Sequence, residues 1–357
     1  MTERELFQLT MAHKPHKPFL FYAPFTTPAR QNVIDAFHLP QDTNVFDYFG
    51  MMMQHDVYPF YGIEGDPARE FDYTVYYRDM DLKPGSFLDG NGVLHEPGSL
   101  FHFTHMVAPL RNAETLAELE AYPYPDVAPQ SFEKMKAEID ALHAKGLFAE
   151  CWSGNVFESA WQLRDITRFF EDMAVNPKFC HCLLEKVAQK YYNTATTAAR
   201  AGIDLIRSGD DIADQRGMLM SPKMWREFIK PYHAEVYKAV KAINPDIKIW
   251  YHSDGNPIEV VEDLIEIGVD ILNPLQPECV DIYEMKRRYG DVLVFDGLIG
   301  TQSTMPFGTP QDVKDAVRRV KDDFGQNGGL IISPTHVLEP EVPVDNIVAF
   351  VEACKED

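Results

Sequence analysis

From about residue 145 onward, short apolar runs alternate with longer amphipathic stretches, and this alternation leaves few folds open. The apolar runs lie at 147–152, 204–208, 247–252, 269–273, 292–296 and 329–333. Each is rich in branched or aromatic residues and short enough for a strand buried on both faces. Between them stand helix signals. Ser221-Pro222 sets an N-cap before a first-turn proline, opening a helix expected to reach about Val240. Thr309-Pro310 repeats the device before 311–324, with Gly325 as the stop. Asn256-Pro257 opens another helix that ends before Gly268. Strands separated by helices pair in parallel through right-handed crossovers. With 18–22 and 44–52 as two more strands, the count reaches eight. The expected class is therefore α/β, a closed (β/α)8 TIM barrel, with an open doubly wound sheet as the alternative.

The region from about 55 to 110 breaks this pattern. It is dense in Tyr, Phe, Gly and Pro, with alternating runs at 71–77 and 93–95. It is expected to be a β-hairpin insertion within a single barrel domain spanning 1–357. Its aromatic residues either pack the hairpins onto the barrel or line a flat apolar substrate site.

Charge and cysteines narrow the function. A net charge of −22 repels phosphate backbones, whose binding depends on Lys and Arg displacing counterions, so nucleic acid is excluded as a partner. Five cysteines without a framework-like spacing point to a reducing cytosol and a cytoplasmic protein. In Cys180-His181-Cys182 the two thiols fall on different faces of a helix, which favours a buried structural role over metal ligation. Residues 1–10 are charged and polar, without a signal-peptide core, and no apolar run approaches a membrane span.

In a parallel barrel, catalysis collects at the C-terminal strand ends, so the strands yield a site inventory. Glu150-Cys151-Trp152-Ser153-Gly154 closes one run, and Arg207-Ser208-Gly209-Asp210-Asp211 the next, followed by Gln215 and Arg216. Then come His252-Ser253-Asp254, then Asn273 and Gln276, then Asp296, and last Ser333-Pro334-Thr335-His336. Two histidines and an aspartate, His252, Asp254 and His336, can ligate a zinc-like ion and leave a position open for substrate. Equally, a strand-end histidine can be a hydrogen-bonded structural or acid–base group. Close carboxylates such as Asp210 and Asp211 push one another's pKa upward and make a general acid available, unless one of them caps the following turn.

The motifs Gly209-Asp210-Asp211, Met220-Ser221-Pro222, Lys230-Pro231-Tyr232, Tyr251-His252-Ser253-Asp254-Gly255, Gly308-Thr309-Pro310 and Ser333-Pro334-Thr335-His336 through Pro343 and Asn346 resemble the uroporphyrinogen decarboxylase superfamily. The resemblance covers residues 145 to 357 well and the N-terminal third loosely, and it implies a (β/α)8 barrel. Decarboxylases of the superfamily carry an Arg-rich segment after the first strand to grip a polycarboxylate. Here residues 22–30 hold one arginine, Arg30, which disfavours a porphyrinogen substrate. The resemblance extends to a second branch, the cobalamin-dependent methyltransferases, some of which bind zinc through a His-x-Cys motif and a last-loop Cys. His252 matches that His, Asp254 that first Cys, and His336 the last Cys, so harder ligands replace both thiolates. Such a centre suits an oxygen rather than a thiol.

The leading expectation is O-demethylation: a methyl group moves from a methoxylated small molecule, aromatic ones included, to cobalamin carried by a corrinoid protein. His252, Asp254 and His336 would hold zinc. Asp210, Asp211, His252 and His336 would supply the catalytic groups, and Gln215, Glu150, Trp152, Asn273 and Arg207 would bind substrate. A homodimer is compatible with this reading. The rivals are a metal-free decarboxylase of a small or tetrapyrrole-related carboxylate, using Arg207, Arg216 or Arg30, and a non-catalytic corrinoid- or porphyrinoid-binding protein.

Overall fold

A computed structural model of the chain describes residues 1–53, 55–63, 70–98 and 104–356. Seven parallel strands form its centre: β1 (Leu20–Phe21), β2 (Glu150–Gly154), β3 (Leu205–Gly209), β4 (Lys248–His252), β5 (Ile271–Leu275), β6 (Val294–Ile299) and β7 (Leu330–Pro334). From β2 to β7 each strand pairs with the next in the chain, and β7 pairs with β1, so only β1 and β2 remain as edges. Residues 51–53 and 55–57 lie along that gap without forming a regular strand. The Met52 N–H donates to Phe21 O at 3.0 Å, Glu150 N–H to His55 O at 3.2 Å, and Val57 N–H to Glu150 O at 2.8 Å. The (β/α)8 barrel is thus closed by an irregular eighth stave.

Two expectations need correction. The run at 44–52 is not a strand. The side chain of Asn44 accepts from the N–H groups of Phe46 and Asp47 and caps a short helix, Val45–Phe49, which ends at Gly50 with φ +58°. Capping chemistry outweighs the β propensity of Val and Phe there, and the stave follows instead. Likewise 71–77 is not a strand: Asp72 caps a 3₁₀ helix, Tyr73–Tyr77, by accepting from Thr74 N–H. The insertion does contain a three-stranded antiparallel sheet, Phe87–Leu88, Leu94–Glu96 and His105–Val107. Its residues 64–69 and 99–103 lie outside the described ones.

The helices start where their capping residues stand. Ser221 accepts from Met224 N–H, and Thr309 forms a reciprocal capping box with Asp312. The helix expected from Ser221 to Val240 is two, Pro222–Phe228 and Lys230–Ile243, because Pro231 has no N–H to continue the first. The Cys180-His181-Cys182 stretch lies within the helix Pro177–Ala201. His181 stacks there on Phe228, with ring centres 4.9 Å apart.

Alternation along the strands divides the core in two. One set of side chains meets the surrounding helices. The other fills the barrel's lower lumen with Leu20, Leu205, Ile271, Val294 and Ile331, plugged from below by Leu6 and Phe7 of the N-terminal helix Glu3–Met11. Above this apolar layer the lumen turns polar, with Tyr22, Glu150, Arg207, Asp296 and Ser333. That layer supports the mouth.

Candidate functional site

The site begins with two close approaches of backbone. A Cβ at Gly209, the end of β3, would lie 2.4 Å from His252 O. A Cβ at Gly255 would lie 2.3 Å from Asp214 O, and Gly255 also has φ +82°. Glycine at both points lets the loops after β3 and β4 press together. Asp211 and Asp254 are thereby brought beside His252.

His252 Nε2 lies 3.5 Å from Asp211 Oδ1 and 3.6 Å from Asp254 Oδ1. One ligand atom from each of Asp211, His252 and Asp254 falls within 4.8 Å of the others. Asp254 N–H donates to Asp211 Oδ1 at 2.9 Å and ties the two loops. His336, half exposed after β7, stands 3.7 Å from Asp254 Oδ2. Two of the three expected ligands, His252 and Asp254, therefore come together with Asp211, while His336 joins from the far side of Asp254.

Asn273 on β5 sets the state of His252. In parallel register with it, Asn273 places Oδ1 2.7 Å from His252 Nδ1. A carbonyl oxygen only accepts, so Nδ1 carries the proton and Nε2 faces the carboxylates. Burial opposes charge on this ring, but Asp211 and Asp254 outweigh it and raise its pKa. Burial and the neighbouring Asp211 raise the pKa of Asp254, against the pull of His252 and His336. Asp254 Oδ1 is buried and has no hydrogen-bond partner among the described residues.

Asp210 does different work from Asp211. Fully buried, it accepts from the N–H groups of Val156 and Glu158 and pairs with His233 Nε2 at 2.7 Å. It anchors the N-terminus of the helix Phe157–Arg164, which has no side-chain cap of its own. That helix brings in Glu158, which sequence reasoning missed. Its Oε2 accepts from Asp211 N–H at 3.3 Å. Burial, then Asp211 and Asp210, push its pKa up to about 8. The available signal was an acid in the first turn of a helix that directly follows a strand end.

The expected substrate binders divide by place. Gln215 donates to Gln302 at 2.8 Å, and both line a cavity of about 520 Å³ with Asp211, Asp254, His336 and Met106. Glu150 and Arg207 lie below in the lumen, 3.6 Å apart, and the Arg207 guanidinium sits 4.4 Å from the Trp250 ring centre. Trp250 in turn runs nearly parallel to the His252 ring, at 5.7 Å and 11°, and meets Trp152 edge-on at 6.1 Å. A continuous stack thus joins lumen, cluster and Trp152. The other arginines are elsewhere: Arg30 donates to the carbonyls of Gln41 and Thr43, and the Arg216 side chain is 91% exposed.

Among the described residues no helix is long and apolar enough to cross a membrane. The donor set fits a small divalent cation. Nε2 is left open by the bond at Nδ1, two carboxylates converge on it, and among the described residues the buried Asp254 Oδ1 accepts no hydrogen bond.

The family model for uroporphyrinogen decarboxylase (URO-D) matches residues 154–357. Similar curated proteins include the uroporphyrinogen decarboxylases of Hydrogenobaculum sp. and Pseudomonas fluorescens. The first is 27% identical over 54% of this chain and 53% of the relative; the second is 24% identical over 82% and 80%. In the first, as in several others, the chain spans about half the length of the curated relatives it matches. A methyltransferase from Methanosarcina mazei superposes over 99% of this chain and 98% of its own, with a TM-score of 0.65 at 16% identity, and so shares the barrel fold. With more than half of its length matched, over the part of the barrel that holds Asp211, His252, Asp254 and His336, the chain belongs to the uroporphyrinogen decarboxylase family.

Proposed function

We propose that this protein is an O-demethylating methyltransferase, which takes a methyl group from a methoxylated aromatic molecule at the barrel mouth. The observation that carries the reading is the cluster itself: Asp211, His252 and Asp254 converge, with Nε2 turned to the carboxylates and a buried carboxylate oxygen that accepts no hydrogen bond among the described residues. Asp211, His252 and Asp254 would hold a zinc-like ion, which when bound supplies Lewis acidity for the ether oxygen.

The remaining work falls to the chain's own groups. Asn273 keeps the proton of His252 on Nδ1, and Trp250 stacked beneath excludes water from below the cluster. Gln215 and Gln302 border the cavity and orient the methoxy group. As the methyl C–O bond breaks, its electron pair stays on the oxygen, which takes a proton from His336 at the cavity wall. A corrinoid protein partner would be the methyl acceptor, its reduced cobalamin supplying the nucleophile for the methyl carbon.

Decarboxylation of a tetrapyrrole polycarboxylate is less well supported. It needs several cations at the mouth, whereas Arg30 is spent on carbonyls, Arg216 faces outward and Arg207 is partnered by Glu150.

The test is purification under metal-clean conditions, metal analysis, and methyl transfer from methoxyarenes to reduced cobalamin. Stoichiometric metal and methylcobalamin formation are expected. Absence of methylcobalamin with every methoxyarene and corrinoid protein tried would overturn the reading, and release of labelled CO₂ without cobalamin would put a decarboxylase in its place.

A further inference from the structure

Beside β2 a second cavity, of about 310 Å³, opens between the insertion and the helix Pro177–Ala201. The aromatic faces of Tyr58, Tyr61, Tyr124 and Trp152 share its walls with polar side chains, Ser159 and Gln162 among them. Into it the helix sends Lys190. The ammonium lies 4.6 Å from the Tyr61 ring centre and 5.1 Å from that of Tyr124, and it donates to Asn91 Oδ1 at 2.7 Å.

An ammonium has three protons to give. Among the described residues Asn91 is the one conventional acceptor Lys190 reaches, and no carboxylate pairs with it. The nearest acids are committed elsewhere: Asp89 accepts from the N–H groups of Asn91 and Val93, and Asp126 accepts from Asn193 Nδ2 at 2.6 Å. Burial lowers the Lys190 pKa to about 8, although Asp89 and Asp126 pull the other way. A buried cation without an anionic partner is costly to maintain, and the two tyrosine faces supply only part of the missing stabilisation. The cavity's volume, at the lower end for small-molecule sites, suits one substituted ring and not a tetrapyrrole. A single lysine matches a singly charged anion, whereas a phosphate brings more charge than this pocket can pair.

We propose that this cavity binds a planar aromatic carboxylate, with its ring among Tyr58, Tyr124 and Trp152 and its carboxylate on Lys190 Nζ. The cavity adjoins the cluster through Trp152 and Trp250. It shares no lining residue with the cavity that Gln215 and Gln302 border, so it is a binding site of its own beside the demethylase reading. The binding itself needs neither metal nor corrinoid.

The test is calorimetric titration of the metal-free, full-length protein with benzoate, 4-methoxybenzoate and anisole, for the wild type, Lys190→Met and Lys190→Arg. The acids are expected to bind at least tenfold more tightly than anisole. Lys190→Met should lose at least tenfold for the acids alone, and Lys190→Arg should retain most of the affinity. The groups facing Lys190 are Asp89, Asp126, Tyr61 and Tyr124, with Lys186 one turn earlier on its own helix. Affinity for 4-methoxybenzoate should hold below pH 8 and fall as the lysine loses its proton above it. Equal binding of anisole and 4-methoxybenzoate by the wild type, or undiminished acid binding by Lys190→Met, overturns the proposal. Should Lys190→Met fail to fold, the wild-type preference for acids over anisole and its pH profile decide. If the acids bind but no methyl transfer follows, the demethylase reading falls and this site stands. If methyl transfer proceeds but the acids bind no more tightly than anisole, this site falls and the demethylase reading stands.

Discussion

The barrel mouth carries two cavities of opposite character. The one at β3, β4 and β7 is bordered by Asp211, Asp254 and His336, with His252 between the two carboxylates, an arrangement whose charge suits a cation. The one at β2 sets a lone ammonium among tyrosine rings, an arrangement that calls for an anion. The first stands on strand ends held by backbone register, by Asn273 and by glycines at close approach. The second is walled by the end of β2 and by the helices Phe157–Arg164 and Pro177–Ala201, with Tyr58, Tyr61 and Asn91 added by the insertion. Groups that must be aimed within a fraction of an ångström stand on strand ends, whereas the lysine that sets the charge of the second cavity stands on a helix and meets the insertion only through Tyr61 and Asn91.

The comparison breaks hardest at His252. His252→Ala should reduce methyl transfer roughly a thousandfold, about 4 kcal/mol of transition-state stabilisation, and abolish stoichiometric metal, with benzoate still bound in the other cavity. Loss of both functions together would mean that the cavities are one site.

A second prediction concerns charge in the aromatic cavity. The folded-state pKa of Lys190 is lowered to about 8, so between pH 8 and its unfolded value near 10.5 the unfolded chain binds the extra proton. This group's contribution to stability is therefore unfavourable below pH 8 and is relieved as pH rises through that window. Urea unfolding of the wild type minus Lys190→Met should show a gain of at most about 3 kcal/mol from pH 8 to 10.5. A flat difference would show that the lysine is already paired.

Smaller again is the effect of Asn273→Ala, which removes the acceptor on His252 Nδ1. Metal affinity, measured by chelator competition, should fall about 10- to 100-fold, and Asn273→Asp should recover part of it. Smallest is Arg216→Ala, whose side chain faces solvent beside Asp214. Its unfolding free energy should move by no more than about 0.5 kcal/mol, and a decarboxylase dependent on this arginine would instead lose activity.

The barrel was readable because its C-terminal strands are continuous apolar runs punctuated by Ser221-Pro222, Thr309-Pro310 and Gly268, signals strong enough to survive any tertiary context. The stave at 51–57 was not readable, since it lacks regular pairing, and the Asn44 cap lies within a run of strand-forming residues. At the site, His252, Asp254, Asp211 and Asn273 were legible as strand-end residues. Their grouping was only partly so, because spacing along the chain does not say which loops touch. Asp210 and Asp211 are adjacent, yet one faces His233 and the other His252, as neighbouring side chains beyond a strand end diverge. Lys190 escaped notice because it sits in the middle of a long helix, where a lysine ordinarily meets solvent.

The irregular stave has one more consequence. Met52, His55 and Val57 suture the barrel at the point where the insertion leaves it, so the chain can be lengthened, shortened or rewritten just beyond the suture without re-registering any of the seven strands. Such a molecule can keep its reaction on the staves while what is stitched in between them changes.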